Sequence, residues 1–259
     1  MTEYRPDLAT KIVAEDDARE VTCLLCKKSL PLSQGTDSTV CPTDDCQVST
    51  QGTLFAQVYL LTGTLGTGGW GTVYSCTHAN LGKKMAIKIL HRHMARDRES
   101  LLRFQREARI LSGLNHPNIV SIADHGWSPQ PFIAMEFLNG QSLAQIISHE
   151  KFIAAKQALP ILKQVCSALE AAHTAGIIHR DLKPSNIFLV ANQEATEIKV
   201  LDFGVAKVEG TTLTATGEAL GSPTYMSPEQ CMGLALDART DIYAFGCLMY
   251  ETLTGRLAF

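Results

Sequence analysis

The sequence has little that would place it in a membrane, outside the cell or on a nucleic acid. It contains no apolar run close to the ~20 residues that span a bilayer, and its first residues lack the basic start and apolar stretch of a signal peptide. Its first 52 residues hold nine acidic and five basic side chains, and the whole chain has a net charge of −3. We therefore expect a cytoplasmic protein with no membrane segment and no nucleic-acid partner.

Internal repeats and low-complexity tracts are also absent. The content of 45% hydrophobic and 19% charged residues is typical of one folded domain with a smaller appendage. Four of the eight cysteines are scattered through apolar segments, where a free thiol behaves as a small hydrophobe and needs no disulfide partner. These four are Cys76, Cys166, Cys231 and Cys247.

Three stretches of the chain differ in pattern. Residues 1–20 are polar with little periodicity and are interpreted as a flexible lead. Residues 21–50 hold the other four cysteines in a polar setting, where no helix or buried strand is expected. Residues 53–259 show short β-rich runs followed by longer helical stretches, which predicts an α+β domain. The clearest runs are strands at Gly71–Thr77, Met85–Leu90 and Phe132–Phe137, and helices at Arg98–Leu111 and Ala158–Ala175.

A glycine-rich run extends from Leu65 to Val73. Glycines let backbone amides approach phosphate oxygens that a Cβ would keep away, and the flanking β-forming residues predict a hairpin here. No helical pattern opens after the run, as a dinucleotide-binding turn would require, and no Gly-Lys-Ser/Thr follows, as a Walker loop would require. An ordinary glycine-rich surface turn is the alternative.

A lysine lies inside an otherwise apolar predicted strand, in the run Ala86-Ile87-Lys88. A buried ammonium group needs a carboxylate or a phosphate as a partner, and Glu107 on the following predicted helix is a candidate. An edge lysine that blunts a sheet is the alternative.

Two polar segments of the second half concentrate the residues that phosphoryl transfer requires. They are His179-Arg180-Asp181-Leu182-Lys183-Pro184-Ser185-Asn186 and Asp202-Phe203-Gly204. The transition state of this reaction is rich in negative charge, so it calls for metal ligands, a cation and a carboxylate that orients the incoming hydroxyl. Together with the glycine run and the strand lysine, in this order, these segments resemble the protein kinase family, and the bacterial Ser/Thr kinases most of all.

The resemblance implies a two-lobed fold with a nucleotide between a β-rich lobe and a helical lobe. The glycine run would cover the ATP phosphates and ribose, and Val73 and Ala86 would pack on adenine. Met135 would guard the back of the pocket, Glu136 to Leu138 would form the hinge, and Phe188 the floor. The complete run implied for the nucleotide is Leu65, Gly66, Thr67, Gly68, Gly69, Trp70, Gly71, Thr72 and Val73.

The resemblance also implies the catalytic roles. Asp181 would be the base, and Lys183 would steady the transferring phosphate. Asn186 and Asp202 would hold Mg²⁺, while Lys88 would contact the α- and β-phosphates and pair with Glu107. Lysine two positions after the aspartate is typical of the Ser/Thr subset, so we expect protein Ser/Thr hydroxyls as substrates.

Regulation is implied by two further features. Arg180 precedes the catalytic aspartate, which in this family couples activity to phosphorylation of the activation segment. Thr214 and Thr216 have the spacing of bacterial autophosphorylation sites, and such phosphorylation between molecules would involve dimerisation. That these threonines merely populate a polar loop is the alternative. Asp241 resembles the helix aspartate that braces the catalytic loop.

One departure from the family concerns the helical lobe. The family continues with several helices beyond the position of Phe259, so we expect a truncated helical lobe. This leaves a second function class open, a noncatalytic kinase-like scaffold that binds partners. A small-molecule kinase is disfavoured, because Gly221 to Glu229 resembles a loop that faces protein substrates.

The clustered cysteines form two pairs, Cys23 with Cys26 and Cys41 with Cys46. Two such pairs, separated by a polar spacer, suit a zinc ribbon in which four thiolates surround Zn²⁺. Four sulfurs leave no open coordination position, which predicts a structural or partner-binding role. A redox pair and loosely structured thiols are the alternatives, and the four-residue gap between Cys41 and Cys46 is wider than a standard knuckle.

Overall fold

The structure, a computed structural model, describes residues 20–33, 38–44, 46–49, 51–191, 196–203 and 223–259. Of the flexible lead predicted for residues 1–20, only Glu20 falls in this part of the chain. The remainder of that prediction lies outside the described residues.

A small module, here called the cysteine module, comprises the described residues of 21–50. Its four short strands are β1 (Glu20–Thr22), β2 (Ser29–Pro31), β3 (Ser38–Val40) and β4 (Gln47–Ser49). Val21, Leu30 and Val48 are the central residues of β1, β2 and β4, and all three are buried. The expectation that this segment holds no buried strand is therefore wrong. A single apolar residue between two polar ones is enough to give such a strand a buried face, because side chains alternate between the two faces of a strand.

The main sheet adds six strands to two from the cysteine module. They are β5 (Gly52–Phe55), β6 (Tyr59–Thr67), β7 (Gly71–His78), β8 (Lys84–Leu90), β9 (Ile122–Gly126) and β10 (Phe132–Glu136). The strand order is β3-β4-β5-β6-β7-β8-β10-β9, and neighbouring strands are antiparallel. The proposed boundary between residues 50 and 53 thus lies between two hydrogen-bonded strands of one sheet.

The second lobe is helical. Two helices follow β8 in the first lobe, α1 (Arg92–Arg96) and α2 (Arg98–Ser112). The second lobe contains α3 (Leu143–Glu150), α4 (Ala155–Thr174), α5 (Pro228–Cys231) and α6 (Ala238–Thr254), with a small antiparallel sheet of β11 (Gly140–Ser142), β12 (Ile187–Val190) and β13 (Glu197–Val200). The predicted two-lobed α+β architecture is therefore observed.

Each lobe has its own core. In the sheet lobe, Phe55, Tyr59 and Phe132 pack their rings edge to face, with centroids 5.4 and 5.5 Å apart. In the helical lobe, one face of α4 buries Ile161, Val165 and other apolar residues against β13 and α6. The helix periodicity of the sequence identified this face, since apolar residues three and four apart lie on one side of a helix.

The scattered cysteines divide into two groups. Cys76 and Cys247 are buried, as expected, but Cys166 and Cys231 are exposed. The interpretation of Cys166 as a buried hydrophobe is wrong because it follows the buried Val165 by one residue, which turns its side chain about 100° away from the core. Cys231 ends the short helix α5 at the surface.

No helix within the described ranges combines the length and the hydropathy that a transmembrane span requires.

Candidate active site and cysteine cluster

A cavity of about 500 Å³ lies between the two lobes. From the sheet lobe its wall contains the glycine turn, Lys88 and Phe104, and from the helical lobe it contains the segments around Asp181 and Asp202. Its volume falls in the range of small-molecule sites, which is ~300–1,000 Å³. The described residues that line it are Gly66, Thr67, Gly68, Gly69, Trp70, Gly71, Val73, Lys88, Phe104, Asp181, Lys183, Ser185, Asn186, Asp202 and Phe203.

The glycine turn, defined as residues 66–73, forms the upper wall of the cavity. It closes the β6–β7 hairpin, as predicted, and Gly68 N donates to Gly71 O at 2.9 Å. A Cβ at Gly71 would come within 2.4 Å of Ile89 O on the neighbouring strand, whereas at Gly66 and Gly69 it would meet nothing within 4 Å. Glycine is therefore required at Gly71 by strand packing, while Gly66 and Gly69 leave the turn open to a ligand.

Lys88 lies in the middle of the sheet, since β8 pairs with β7 on one side and β10 on the other. This position excludes the edge-strand alternative. Lys88 Nζ is 2.9 Å from Asp202 Oδ1, and the positive charge lowers the pKa of the Asp202 carboxyl. Glu107, the partner predicted for Lys88, lies on α2, but its side chain is outside the described part of the chain.

The catalytic loop, defined as residues 179–186, brings three functional side chains together. Lys183 Nζ is 3.1 Å from Asp181 Oδ2. Asn186, which ends a short 3₁₀ helix, donates from Nδ2 to the backbone oxygen of Asp181 at 2.8 Å. The Asn186 oxygen remains as the atom that a cation would take, beside the carboxylate of Asp202. Oxygen donors of this kind suit Mg²⁺.

The catalytic loop is held from behind by a buried carboxylate. Asp241, fully buried on α6, accepts hydrogen bonds from His179 N at 2.7 Å and from Arg180 N at 2.8 Å. It also contacts His173 Nε2 at 2.7 Å. Arg180 and Asp202 have positive φ values of 64° and 48°, which are costly for residues with a side chain. The hydrogen bonds that Asp241 accepts from His179 N and Arg180 N therefore hold a backbone conformation at Arg180 that would be unfavourable alone.

His179 is a structural residue of this loop. Its ring is buried, donates from Nε2 to Leu201 O at 3.0 Å and accepts at Nδ1 from Asp181 N at 3.2 Å. Both nitrogens are satisfied in the neutral form, and burial lowers the pKa of the ring. His179 thus ties the base-bearing segment to the segment that carries Asp202.

The described walls of the cavity do not include all residues implied for the nucleotide. Thr72 is turned to the opposite face of β7, because its neighbours Gly71 and Val73 face the cavity and side chains alternate along a strand. The other implied residues outside the cavity walls lie on or beside strands β6, β8, β10 and β12. They are Leu65, Ala86, Met135, Glu136, Leu138 and Phe188.

Three cavity residues were not assigned to the site from the sequence. Phe104 is buried on α2 in the sheet lobe, while Ser185 precedes Asn186 and Phe203 follows Asp202 in the helical lobe. The position of Phe104, three residues before Glu107, was the available signal, because residues three apart share one face of a helix. The predicted phosphorylation sites Thr214 and Thr216 lie outside the described residues, as does Gly204.

The four clustered cysteines converge in the cysteine module. The sulfur atoms of Cys23 and Cys46 are 3.6 Å apart, and those of Cys26 and Cys41 are 3.5 Å apart. Four sulfurs at ~2.3 Å from a tetrahedral zinc ion would be separated by about 3.8 Å. The two observed distances are close to that requirement. The ligand atoms of Cys23, Cys26, Cys41 and Asp44 all lie within 4.8 Å of one another, while Cys46 lies outside this group and next to Cys23, so three thiolates and a carboxylate form the compact donor set that fits Zn²⁺.

Backbone amides also point at two of these sulfurs. The amides of Leu25 and Cys26 face the Cys23 sulfur, and those of Thr43 and Asp44 face the Cys41 sulfur. Burial raises the pKa of Cys23 and Cys26 to about 12 and that of Cys46 to about 11. At Cys41 burial acts in the same direction, but the two amides together with hydrogen bonds from Cys26 and Cys23 outweigh it, and the pKa is lowered. A metal would therefore have to displace protons from most of these thiols.

Asp44 is the residue of this cluster that sequence reasoning missed. It is 3% exposed, and its Oδ2 is 3.4 Å from the Cys23 sulfur and 3.6 Å from the Cys41 sulfur. Its Oδ1 is 2.5 Å from Arg92 Nη2, at the start of α1. The sequence signal that could have identified Asp44 was the presence of an acidic residue within the wide gap between Cys41 and Cys46.

Known proteins share the two-lobed part of the chain. The protein kinase domain family matches residues 59–259. The Ser/Thr-protein kinase Pkn1 of Myxococcus xanthus is 46% identical over 199 residues, which cover 75% of this chain and 28% of Pkn1. The Ser/Thr-protein kinase PknB of Mycobacterium leprae is 40% identical over 208 residues, covering 78% of this chain and 33% of PknB. The chain thus spans about a third or less of these two relatives.

A solved structure is similar as well. The crystal structure of the PknI kinase domain of Mycobacterium tuberculosis superimposes with a TM-score of 0.67 and 30% identity, over 81% of this chain and 79% of that domain. The similarity supports a fold with a β-sheet lobe and a helical lobe. Because the family matches residues 59–259, the chain belongs to the protein kinase domain family.

Proposed function

We propose that the chain is a Ser/Thr protein kinase that transfers the γ-phosphoryl group of MgATP to hydroxyl groups of protein substrates. The observation that carries this proposal is the convergence of Lys88, Asp181, Lys183, Asn186 and Asp202 on one cavity beneath the glycine turn. The names of the relatives, all Ser/Thr-protein kinases among those described above, support the choice of substrate class.

Each side chain has a role that follows from its chemistry. Asp181 accepts a hydrogen bond from the incoming hydroxyl and orients its oxygen. As the new bond from this oxygen to the γ-phosphorus forms, the bond from phosphorus to the bridging oxygen of ADP breaks, and the hydroxyl proton passes to Asp181. Lys183 and Lys88 place positive charge beside the phosphates. Asn186 and Asp202 would hold Mg²⁺, which neutralises charge on the phosphates when bound.

The remaining nucleotide residues form the second part of the proposal. Ala86 and Met135 are direct neighbours across β8 and β10, in a position to border an adenine ring beside the cavity. Glu136 is bound to Ser121 N and lies 3.1 Å from Lys199 Nζ, so that the start of the hinge is tied to both lobes. Leu65, Leu138 and Phe188 complete the set assigned to the nucleotide.

Regulation by phosphorylation is proposed on the basis of the resemblance. Thr214 and Thr216 are the expected autophosphorylation sites, and a dimer is expected to carry out the reaction between molecules. The noncatalytic scaffold is the less favoured alternative, because the charged residues that phosphoryl transfer requires are present together.

Labelled ATP tests the kinase proposal. The full chain is incubated with γ-labelled ATP, Mg²⁺ and a Ser/Thr-containing protein, and phosphorylated residues are identified by mass spectrometry. We expect label on Ser and Thr, and a rate reduced by about 10²- to 10⁴-fold in Asp181→Asn. Cys166→Ser, at an exposed position on α4, is the matched control. Equal incorporation by wild type and Asp181→Asn, or none by wild type, would contradict the proposal.

We further propose that residues 21–50 form a zinc ribbon with Cys23, Cys26, Cys41 and Cys46 as ligands. The sulfur distances and the backbone amides that face Cys23 and Cys41 support this assignment. The burial of Cys23, Cys41 and Cys46 disfavours loosely structured thiols. Because the four sulfurs fill a tetrahedral shell, the role is structural.

Metal analysis under reducing conditions tests the zinc proposal. We expect about one equivalent of zinc in the wild-type chain and none in a double variant with Cys23→Ser and Cys41→Ser. Cys166→Ser should retain the metal. Folded wild-type protein without metal, or with disulfide bonds between these cysteines, would exclude the zinc ribbon.

A further inference from the structure

The cysteine module and the glycine turn are connected by a short series of contacts that neither proposed function requires. We propose that zinc bound at the four cysteines tightens nucleotide binding at the glycine turn, with Asp44, Arg92 and His91 as the connection. This inference rests on both the zinc site and the nucleotide site proposed above.

The first contact joins the cysteine cluster to the sheet lobe. Asp44 lies between Cys41 and Cys46, so a metal ion that binds both cysteines would fix the position of its carboxylate. That carboxylate is buried against the sulfurs on one side and contacts Arg92 on the other. The position of Arg92 therefore depends on the order of the metal-binding loop.

The second contact joins Arg92 to the glycine turn. Arg92 begins α1 and directly follows His91, which lies just beyond β8. His91 donates from Nε2 to Gly68 O at 3.0 Å and from its backbone N to Trp70 O at 2.9 Å. Gly68 and Trp70 both line the cavity. A fixed His91 thus holds two carbonyl groups of the turn that is proposed to cover the phosphates.

The Asp44–Arg92 contact lies beside an open space between the cysteine module and the main sheet. A groove of about 380 Å³ lies there, and Asp44 and Arg92 are among its walls. Leu24 and Leu25 pack on the core of the sheet lobe beside this groove, and the Asp44–Arg92 contact is a charged link across it. The energy of one half-exposed pair is modest, so we expect a moderate effect.

A second link runs through the first pair of cysteines. Leu24, between Cys23 and Cys26, donates from N to Thr53 Oγ1 at 3.0 Å and accepts from Tyr74 OH at 3.3 Å. Tyr74 follows Val73, which lines the cavity. The first half of the metal site therefore contacts β7, which begins at the glycine turn, and the second half contacts α1, which directly follows His91. Order in the module thus reduces the freedom that the turn loses when a nucleotide binds.

Reciprocal binding measurements on the full chain test the inference. The dissociation constant of MgATP is measured with zinc bound and after a zinc-selective chelator, and the affinity for zinc is measured with and without MgATP. We expect zinc removal to weaken MgATP binding by about 5- to 10-fold, and MgATP to tighten zinc binding by the same factor, since coupling between two sites is reciprocal.

Variants of Arg92 separate this connection from a general loss of structure. Arg92→Gln should retain one equivalent of zinc, bind MgATP several-fold more weakly than wild type, and show a smaller effect of MgATP on zinc affinity, because the link through Leu24 and Tyr74 remains. Arg92→Lys, which keeps the charge, should restore part of the coupling. Arg239→Gln, which removes an exposed ion pair with Asp237 on α6, is the matched control and should behave as wild type.

The outcomes distinguish a failure of the proposed coupling from a failure of the zinc site or of the nucleotide site on which it rests. Zinc and MgATP that bind independently in wild type would overturn the connection and leave both proposed functions standing. A chain that binds MgATP but no zinc would overturn the connection through the zinc site, and a chain that binds zinc but no MgATP would overturn it through the nucleotide site. Coupling of the same size in Arg92→Gln as in wild type would exclude Arg92 as the link.

Discussion

The catalytic loop and the cysteine module both carry chemistry in irregular segments, but they are anchored in different ways. The catalytic loop lies against a core of 18 described residues and is held by the buried Asp241. The cysteine module has a cluster of seven buried residues, three of which are cysteines. A segment on a large core can be positioned by hydrogen bonds, whereas a segment with few apolar residues needs further support, here from the sheet it joins and, as proposed above, from a metal ion.

The largest effect is expected from removing the anchor of the catalytic loop. Asp241→Ala leaves the amides of His179 and Arg180 without their buried acceptor, so we expect the free energy of unfolding to fall by about 3–5 kcal/mol, as for other buried charged partners. Urea titration gives the value. Asp241→Asn keeps one oxygen acceptor and should lose less. If both variants were as stable as wild type, the loop would not depend on this anchor.

The positive charge of Lys88 in the cavity is expected to affect activity but not the zinc content of the cysteine module. Lys88→Met removes the ammonium group beside Asp202 and should lower kcat/KM by about 10²- to 10³-fold, as for other preorganised charges. The zinc content should stay the same as in wild type. Lys163→Met, at an exposed position on α4, is the control. A parallel loss of zinc and activity in Lys88→Met would show that the two regions are not separable in this way.

A smaller effect is expected where the cysteine module meets the sheet. Thr53 is fully buried, and Thr53→Val removes the acceptor of Leu24 N at almost constant volume. We expect the free energy of unfolding to fall by about 1–2 kcal/mol, the cost of an unpaired buried donor. Thr254→Val, on the exposed end of α6, should change it by less than about 0.5 kcal/mol. Equal effects at the two positions would argue against a specific anchor at Thr53.

The smallest effect concerns pH and the helical lobe. Burial lowers the pKa of His179 below its ordinary value of 6.5. As the pH falls below 7, the His179 ring is therefore protonated in the unfolded chain at a higher pH than in the folded chain. Stability due to the neutral ring is therefore complete above pH 6.5 and declines as the pH falls, by at most about 1 kcal/mol at pH 6.

Urea titrations between pH 7 and pH 5 measure this decline. His179→Asn should flatten the slope of stability against pH in this range, and His125→Asn, at an exposed position, should leave it unchanged. An identical slope in wild type and His179→Asn would rule out His179 as its source.

The helical lobe and the glycine turn were predicted from sequence because their signals are local. The buried face of α4 follows from helix periodicity, and the hairpin around Gly68 follows from glycines between β-forming residues. The convergence of Asp181 and Asp202 was expected from the family resemblance. Neither side chain could be placed by local pattern, since the contact of Asp202 with Lys88 spans 114 positions of the chain.

The cysteine module was predicted less well, and for a physical reason. Three-residue strands such as β1 leave no period to detect, so their pairing appears only when the chain is folded. The role of Asp44 depends on Arg92, which is 48 positions away, and no short-range rule connects them. The exposed Cys166 was misjudged because it was grouped with the apolar residues around it, although it lies outside the buried face that the helix period predicts for α4.

The continuity of the main sheet has a practical consequence for anyone who prepares the catalytic part by itself. The family match begins at Tyr59, yet Tyr59 and Leu61 pair with Phe55 and Thr53 of β5. A shortened chain that started at Tyr59 would bare one side of β6 to the solvent, with unpaired amides and carbonyls. Such an open strand invites pairing with another molecule, so that preparation would be prone to aggregate.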